Sequence, residues 1–408
     1  MKRVLIRELI ERKEVEIKTG PFGTQLKASE YVNVGTPVLN VRNLGFATVS
    51  TEKLDMIGEE TLARLSAHKL QKGDIVFGRK GAVERHAYIS ENEDGWMQGS
   101  DCIRLRVNSN RINARYLSYY FLTDSHRAFM ISMCSHGTTM ASLNQKIIEL
   151  ICVPLPKRKI QDRIVTILGA IDEKIKNNIE INDNLQQQLR TIFKAKFTNN
   201  PELEKMTQIP LSDLCHAVTK GTTPTTLGKS FVESGINFIK AESILNNHSI
   251  DKSKFAFIDE ETNALLKRSV IHSGDIVFTI AGTLGRFALI DDNVLPANTN
   301  QAVAIIRADT KKILPEYIYT CFIGEWHTDY YAKRVQQAVQ ANLSLATIKS
   351  LPIPVLDKDA MGEYLQLILP IIRLLKGYEA QNESLAALRD SLLPKLMSGE
   401  IDVSDIDL

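Results

Sequence analysis

The hydrophobic positions of this chain change period and then change back. Stretches of strand-like alternation recur among the residues before Leu155, long helical periodicity follows, and the same succession begins again. Ile75–Gly78, behind a Gly73-Asp74 turn, is predicted to be a buried strand. Residues 101–107 alternate apolar and charged side chains, as a strand does, and Thr36–Leu44 has β-branched alternation of the same kind. Residues 59–68 and 113–133 read as helical, the second with Tyr116, Tyr119, Tyr120 and Phe121 as a packing face. Residues 1–17 alternate charge with Val4, Leu5, Leu9 and Ile10 and form either a short strand or a helical turn. Glycine and proline make Lys18–Thr24 a loop, and Arg79–His86 is a charged hairpin or loop.

This succession occurs twice. Lys72–Phe77 matches Ser273–Phe278 at an offset of 201 (273 − 72). Gly81 then meets Gly282, Arg85 meets Arg286, Ala87 meets Ala288 and Tyr116 meets Tyr317; Pro154 meets Pro354 after a one-residue slip. Each copy closes on a short helix signal, Ala141–Ile148 or Ala341–Ile348, then an apolar proline-containing strand and a long helix. The chain is a tandem duplication, and repeats are read before anything else. The predicted parts are 1–155, a helix over 156–200, 201–355, and a helix over 356–408. In the second copy Thr219–Thr226 replaces the first glycine loop, Gly235–Glu242 the first strand, Thr279–Arg286 the charged hairpin and Asn298–Arg307 the alternating strand. Frame residues repeat while loop residues change, so one scaffold presents two surfaces.

Both long helices carry a seam stepping by fours and threes. In the first it runs through Ile164, Leu168, Ile171, Ile175, Asn178, Asn182, Leu185, Leu189 and Ile192. In the second it runs less regularly through Tyr364, Ile368, Ile371, Leu375, Tyr378, Asn382, Leu385 and Leu392. Pro370 is expected to kink the second helix or mark its start. Each seam either lies on its own domain or pairs with the other. Mutual antiparallel pairing would bring the equivalent Asn182 and Asn382 together near the middle and fix the register there.

Composition narrows the function classes. A chain of 408 residues calls for two domains or more. At 24% charged and 44% hydrophobic residues it is an ordinary globular composition, and a net charge of +2 neither requires nor excludes nucleic acid. The five cysteines are scattered, with no C-x-x-C and no histidine at metal-site spacing, which predicts reduced core thiols in a cytoplasmic protein and no metal site. The N-terminal residues lack the apolar run of a signal peptide. The most apolar stretch, Leu365–Leu375, contains Gln366, Pro370 and Arg373 and is too short to span a bilayer.

Catalytic patterns are missing. Gly221 to Gly228-Lys229-Ser230 has six residues between its glycines where a phosphate-binding P-loop has four. No glycine-rich cofactor loop follows a strand, and Asn200–Glu202 is not the Asn/Asp-Pro-Pro-aromatic run of a DNA methyltransferase. The eight histidines, His136 among them, are scattered, and no carboxylate pair stands out. What remains are donor-rich loops at equivalent places: Arg79, Lys80, Arg85 and His86 in one copy, Thr279, Thr283 and Arg286 in the other. Asn40, Arg42, Asn43 and Gln98, with Asn298, Asn300 and Gln301, complete the set. Arg and Lys bond guanine edges, Asn and Gln adenine edges, and all of them can hold phosphate. The alternative is that these are solvated loops.

The order of these features resembles the specificity subunit of type I restriction–modification enzymes. The resemblance covers nearly the whole chain and includes Leu392–Ile401 near its end. It implies a mixed α/β fold with two pseudo-twofold-related target recognition domains joined by two long antiparallel helices. Each domain would read half of a split double-stranded DNA sequence. The helices, about 55 Å long at 1.5 Å per residue, would set the spacing and dock two methyltransferase subunits, with restriction/translocase subunits joining them. S-adenosylmethionine, ATP and Mg would sit on those partners, with no cofactor and no catalytic residue in this chain. A stand-alone methyltransferase or nuclease with a cryptic site, and a purely structural coiled-coil adaptor, are the competing readings.

Overall fold

A computed structural model describes residues 2–134, 142–198, 206–328, 330–331 and 342–406. His136 and Asn200–Glu202 lie outside them. The chain forms two compact units, residues 1–175 with 384–408, and residues 176–383. The change from one unit to the other therefore falls inside both long helices.

In the first unit, Arg3–Leu5 pairs antiparallel with Cys152–Pro154. A four-stranded antiparallel sheet runs Val15–Thr19, Cys102–Val107, Ile75–Gly78, His86–Tyr88. A smaller sheet runs Tyr31–Val32, Asp55–Ile57, Thr36–Leu39, Met97–Gln98, its last pair parallel. The period of two explains why Ile75–Gly78 is buried throughout. Ile75 and Phe77 face the main core with Tyr116, Tyr119 and Phe121, while Val76 faces a second core with Leu39, Leu44 and Ile89. The helical stretch 113–133 is two helices, Ala114–Tyr120 and Asp124–Cys134. The chain turns between them at Thr123, whose hydroxyl accepts from the His126 N–H and donates to the Tyr120 carbonyl.

The second unit repeats this plan. Thr207–Pro210 pairs with Pro352–Val355. The larger sheet runs Cys215–Lys220, Val303–Ala308, Ile276–Thr279, Phe287–Leu289, and the smaller runs Ala256–Ile258, Ile236–Ile239, Ala297–Thr299. Ile276 and Phe278 face the main core and Val277 the second one. The repeated Gly-Asp now has a physical role. Gly73 and Gly274 adopt φ of 90° and 79°, which favours glycine. Asp74 is buried and takes both arms of Arg106 at 2.7 and 2.6 Å; Asp275 takes Arg307 at 2.8 and 2.6 Å. Tyr116 donates to the Pro154 carbonyl at 2.9 Å and Tyr317 to that of Pro354 at 2.6 Å, so the slip seen in sequence is kept in space.

The long helices are Arg158–Phe193, continued by a π-helical turn over Lys194–Thr198, and Lys358–Ser398. Pro370 lies inside the second helix and does not start it; it is exposed, so water can satisfy the carbonyl its ring leaves free. In the first unit Ile164 and Leu168 share a core with Leu393, Leu396 and Met397. In the second Leu185 and Leu189 share one with Tyr364, Ile368, Ile372 and Leu375. Each unit thus holds an antiparallel helix pair packed on its own sheet. Ile371 and Leu392 yield the buried places to Ile372 and Leu393, because a straight helix drifts from a strict seven-residue repeat. Polar ties hold the long helices in place. Asp172 accepts from Tyr119 at 2.6 Å and Arg115 at 3.2 Å, both on the helix Ala114–Tyr120, and from Arg389 of the second long helix at 3.3 Å. In the second unit Lys376 donates to the Leu289 carbonyl at 2.8 Å and lies 3.0 Å from Glu379.

The asparagine contact differs from expectation. Asn382 is bonded by Asn178, not by Asn182: the Asn178 Nδ2 donates to Asn382 Oδ1 and to Gln381 Oε1, both at 2.8 Å. Asn182 sits one turn further on and is buried, its Oδ1 without a hydrogen-bond donor among the described residues. The antiparallel register puts residue 178 opposite 382, four residues from the place that equal positions in two copies suggested.

Candidate nucleic-acid interface

Strand ends gather the candidate loops. Thr19 pairs with Ile103, Gly78 with Cys102 and Leu39 with Gln98, so four strands of the first unit end on one rim. Loops 20–26, 40–50, 79–86 and 99–101 leave from it. A fifth segment joins them where the Leu143 N–H donates to the Arg79 carbonyl at 2.8 Å and Gln145 donates to Thr19 at 3.0 Å. The glycine loop runs flat here: a side chain at Gly20 would collide with the Gly99 carbonyl. The second unit builds the same rim from Lys220, Ile239, Thr279 and Thr299, with Leu343 donating to Ile280, and there Gly221 lies against the Thr299 carbonyl. Pro224–Leu227 is a 3-10 turn ended by Gly228 at φ 69°, and Lys229 is paired with Glu261 at 2.7 Å.

The structure brings all of the sequence candidates to these rims but faces only some of them outward. In the first unit Arg42, Lys80 and Arg85 are exposed and Asn40 and Arg79 half-buried. Arg42 pairs with Asp55 at 2.6 Å and Lys80 with Asp101 at 3.4 Å. In the second, Gln301 is exposed and bonded to Thr223, while Thr283, Arg286 and Asn300 are half-buried. Five candidates are corrected: Asn43, His86, Gln98, Thr279 and Asn298 are interior. Asn43 donates to the Ser50 and Glu52 carbonyls, Gln98 to those of Lys18 and Cys102, and Asn298 to Asn263 and Leu266. The Thr279 hydroxyl donates to the Thr283 carbonyl and accepts the Arg286 N–H, and His86 bonds Ser118. Apart from His86, whose ring bonds a side chain, these residues satisfy backbone groups that would otherwise be buried unpaired.

Three surface residues escaped the sequence reading. Lys240 stands where the first copy has Asn40, each just before a 3-10 turn, Ala241–Ser243 or Val41–Asn43. The repeat was the available signal, at an offset of 200 (240 − 40) here and of 201 further on. Phe46, 41% exposed at a loop tip, has the guanidinium carbons of Arg85 and Arg127 at 5.6 and 4.7 Å from its ring centre.

Each rim stands on a histidine cluster, buried except for the half-buried His248. His86 and His126 lie among Phe77, Tyr120 and Phe121, and His248 and His327 among Phe278, Phe287, Phe322 and Tyr331. Burial pushes His86 and His126 down to about 3, and His248 and His327 down to about 4. Folding therefore favours the neutral rings. The stability this gives is whole above the unfolded value of about 6.5 and is lost as pH falls through and below it. Melting temperature is expected to fall from pH 7 to pH 5. His86→Phe, which places the residue found at Phe287, is expected to flatten that slope; an unchanged slope would contradict the assignment.

Among the described residues no group of His, Cys, Asp and Glu could hold a metal ion, and no helix is long and apolar enough to cross a membrane. Comparison with known proteins places this geometry. The chain is 21% identical over 365 residues to the type I restriction enzyme MjaIX specificity subunit of Methanocaldococcus jannaschii, covering 86% of this chain and 82% of the relative. It is 21% identical over 409 residues to the EcoBI specificity subunit of Escherichia coli, covering 93% and 83%. In fold it is similar to the S subunit of a type I restriction–modification system from M. genitalium, at a TM-score of 0.55 and 15% identity over 97% of this chain and 96% of the other. The model for the type I restriction modification DNA specificity domain matches twice, at residues 18–187 and 204–366. With most of its length so matched, once in each copy, the chain belongs to the family of type I restriction–modification DNA specificity domains.

Proposed function

We propose that this chain is the specificity subunit of a type I restriction–modification complex. Each rim reads one half-site of a bipartite double-stranded DNA target. The long helices fix the spacing between half-sites and carry two methyltransferase subunits, with restriction/translocase subunits binding in turn. Methyl transfer from S-adenosylmethionine and ATP- and Mg-dependent cleavage belong to those partners in the cytoplasm, and this chain is not catalytic. The observation that carries the reading is one rim built twice on one framework with different outward side chains: Asn40, Arg42 and Lys80 in one, Lys240, Glu242 and Gln301 in the other. A partner face is supported by an apolar stripe on the second long helix, where Leu367 and Leu374 are 58% and 53% exposed at a seven-residue spacing, beside Pro370 and Gly377.

The test is methyl transfer from labelled S-adenosylmethionine to target DNA, with the purified chain alone and with its methyltransferase partner. Transfer only with the partner is expected. Transfer by the chain alone would revive the enzyme reading.

Helix register offers a second test. A bonded amide on a seam fixes register because any slip leaves it unsatisfied. Replacing Asn178 and Asn382 together by leucine is expected to hold or raise the melting temperature. The assembled complex should then accept targets with spacers longer or shorter by a base pair. Unchanged spacer preference with lower stability would remove the register role.

A further inference from the structure

Phe46 is a large apolar side chain left half in water at the tip of a firmly held loop. The Ala47 backbone takes the left-handed conformation at φ 57°, and its N–H donates to the His86 carbonyl at 2.9 Å. The His86 N–H donates back to the Gly45 carbonyl at 3.1 Å, and the Gly45 N–H to Thr48 at 3.0 Å. The ring is thus fixed to a buried strand beside the Arg79–His86 hairpin, among the rim loops. Two guanidinium groups lie over it. That of Arg85 has no carboxylate or carbonyl partner among the described residues. Among the described residues Arg127 has only the fully exposed Asp124 at 3.6 Å, and its buried Nε has no partner there.

An apolar ring framed by two cations suits a DNA groove, where phosphates flank the base edges. What the ring can do there is limited by its cover. Wedging between base pairs needs open ring faces, and two guanidinium groups stand over this ring at 5.6 and 4.7 Å. The ring edge remains. The apolar group on a base edge in the major groove is the C5 methyl of thymine. The second copy lacks the device. Ala47 corresponds to His248, which shares the left-handed conformation at φ 63°, so Asn247 stands at the place of Phe46.

We propose that Phe46 reads a thymine methyl group in the half-site bound by the first recognition domain, with Arg85 and Arg127 holding the flanking phosphates. The proposal rests on the specificity-subunit reading above.

The test uses the full chain assembled with its methyltransferase partner and a duplex carrying the methylated target. Each thymine of the first half-site, on either strand, is replaced in turn by deoxyuridine, which removes only the methyl group. One position is expected to lose binding by about threefold to tenfold, the scale of one buried methyl contact. With Phe46→Ala, binding to the thymine target falls by the same factor and the two duplexes bind alike; Phe46→Leu keeps the discrimination. No sensitive position, a first half-site without an A·T pair, or a Phe46→Ala complex that discriminates as the unaltered one does would each overturn the proposal. In those cases methylation of a split target leaves the specificity-subunit reading standing. A complex that methylates no split target removes that reading, and this proposal with it.

Discussion

Exchanging residues 1–155 for the corresponding segment of another specificity subunit changes one block of the methylated sequence and leaves the other block and the spacer as they were. This is the expected result because every loop of the first rim, from Gly20 to Gln145, lies inside that segment. The second rim, and the Asn178–Asn382 bond in the helix pair, lie outside it. The graft must keep the apolar face that meets the helices. Tyr116, Leu117 and Tyr119 share a core with Ile164, Leu168, Leu393 and Leu396, and losing that packing would cost stability before it altered specificity. Methylation mapping of cells carrying the hybrid checks the outcome. A change in both blocks, or in neither, would contradict two separate readers.

The largest loss of stability is expected at the repeated Gly-Asp. Asp74 and Asp275 are each 1% exposed at the side chain, while their partners Arg106 and Arg307 are 20% and 28% exposed. Removing one member of a buried pair leaves an uncompensated charge, at a cost of about 3–5 kcal/mol. The exposure of the arginines makes the loss unequal. An orphaned arginine can turn towards water, so Asp275→Ala belongs near the lower end of that range. Arg307→Ala strands a carboxylate whose remaining hydrogen bond is from the His272 N–H at 2.8 Å, and it should cost more. A loss of about 3 kcal/mol lowers the melting temperature of a unit this size by roughly 6–12 °C. Calorimetry on Asp275→Ala, Arg307→Ala and the first-copy equivalents, Asp74→Ala and Arg106→Ala, checks both size and order. Shifts under a degree would mean the pairs are solvated.

Local pattern made much of the fold legible. The strand Ile75–Gly78, the long helices and the duplication all follow from periods and offsets within the chain. The role of Asp74 was not legible, because its partner Arg106 lies 32 residues away on a neighbouring strand. Side-chain direction in the shortest elements was not legible either. Asn43, in a 3-10 turn, and Gln98 and Asn298, in strands of two and three residues, have the residue types that read bases, yet each turns inward to satisfy backbone; segments so short show no period that tells in from out. The charged stretch Arg79–His86 suggests a hairpin or loop, but His86 opens the strand His86–Tyr88 and points into an aromatic core. Asn178 and Asn182 lie on the same seam, and only the pairing of two distant helices decides which of them meets Asn382. Nothing in the local sequence marks Phe46, and its exposure beside two arginines is visible only in three dimensions.

The central claim is that two rims on one chain read two separate half-sites. Methylation-sensitive sequencing of genomic DNA tests it most directly, in cells carrying this chain with its methyltransferase partner and in cells lacking only this chain. The expected result is a single motif of two short specific blocks separated by a fixed number of unspecified bases, lost when the chain is removed. A continuous motif, or methylation that persists without the chain, would contradict it.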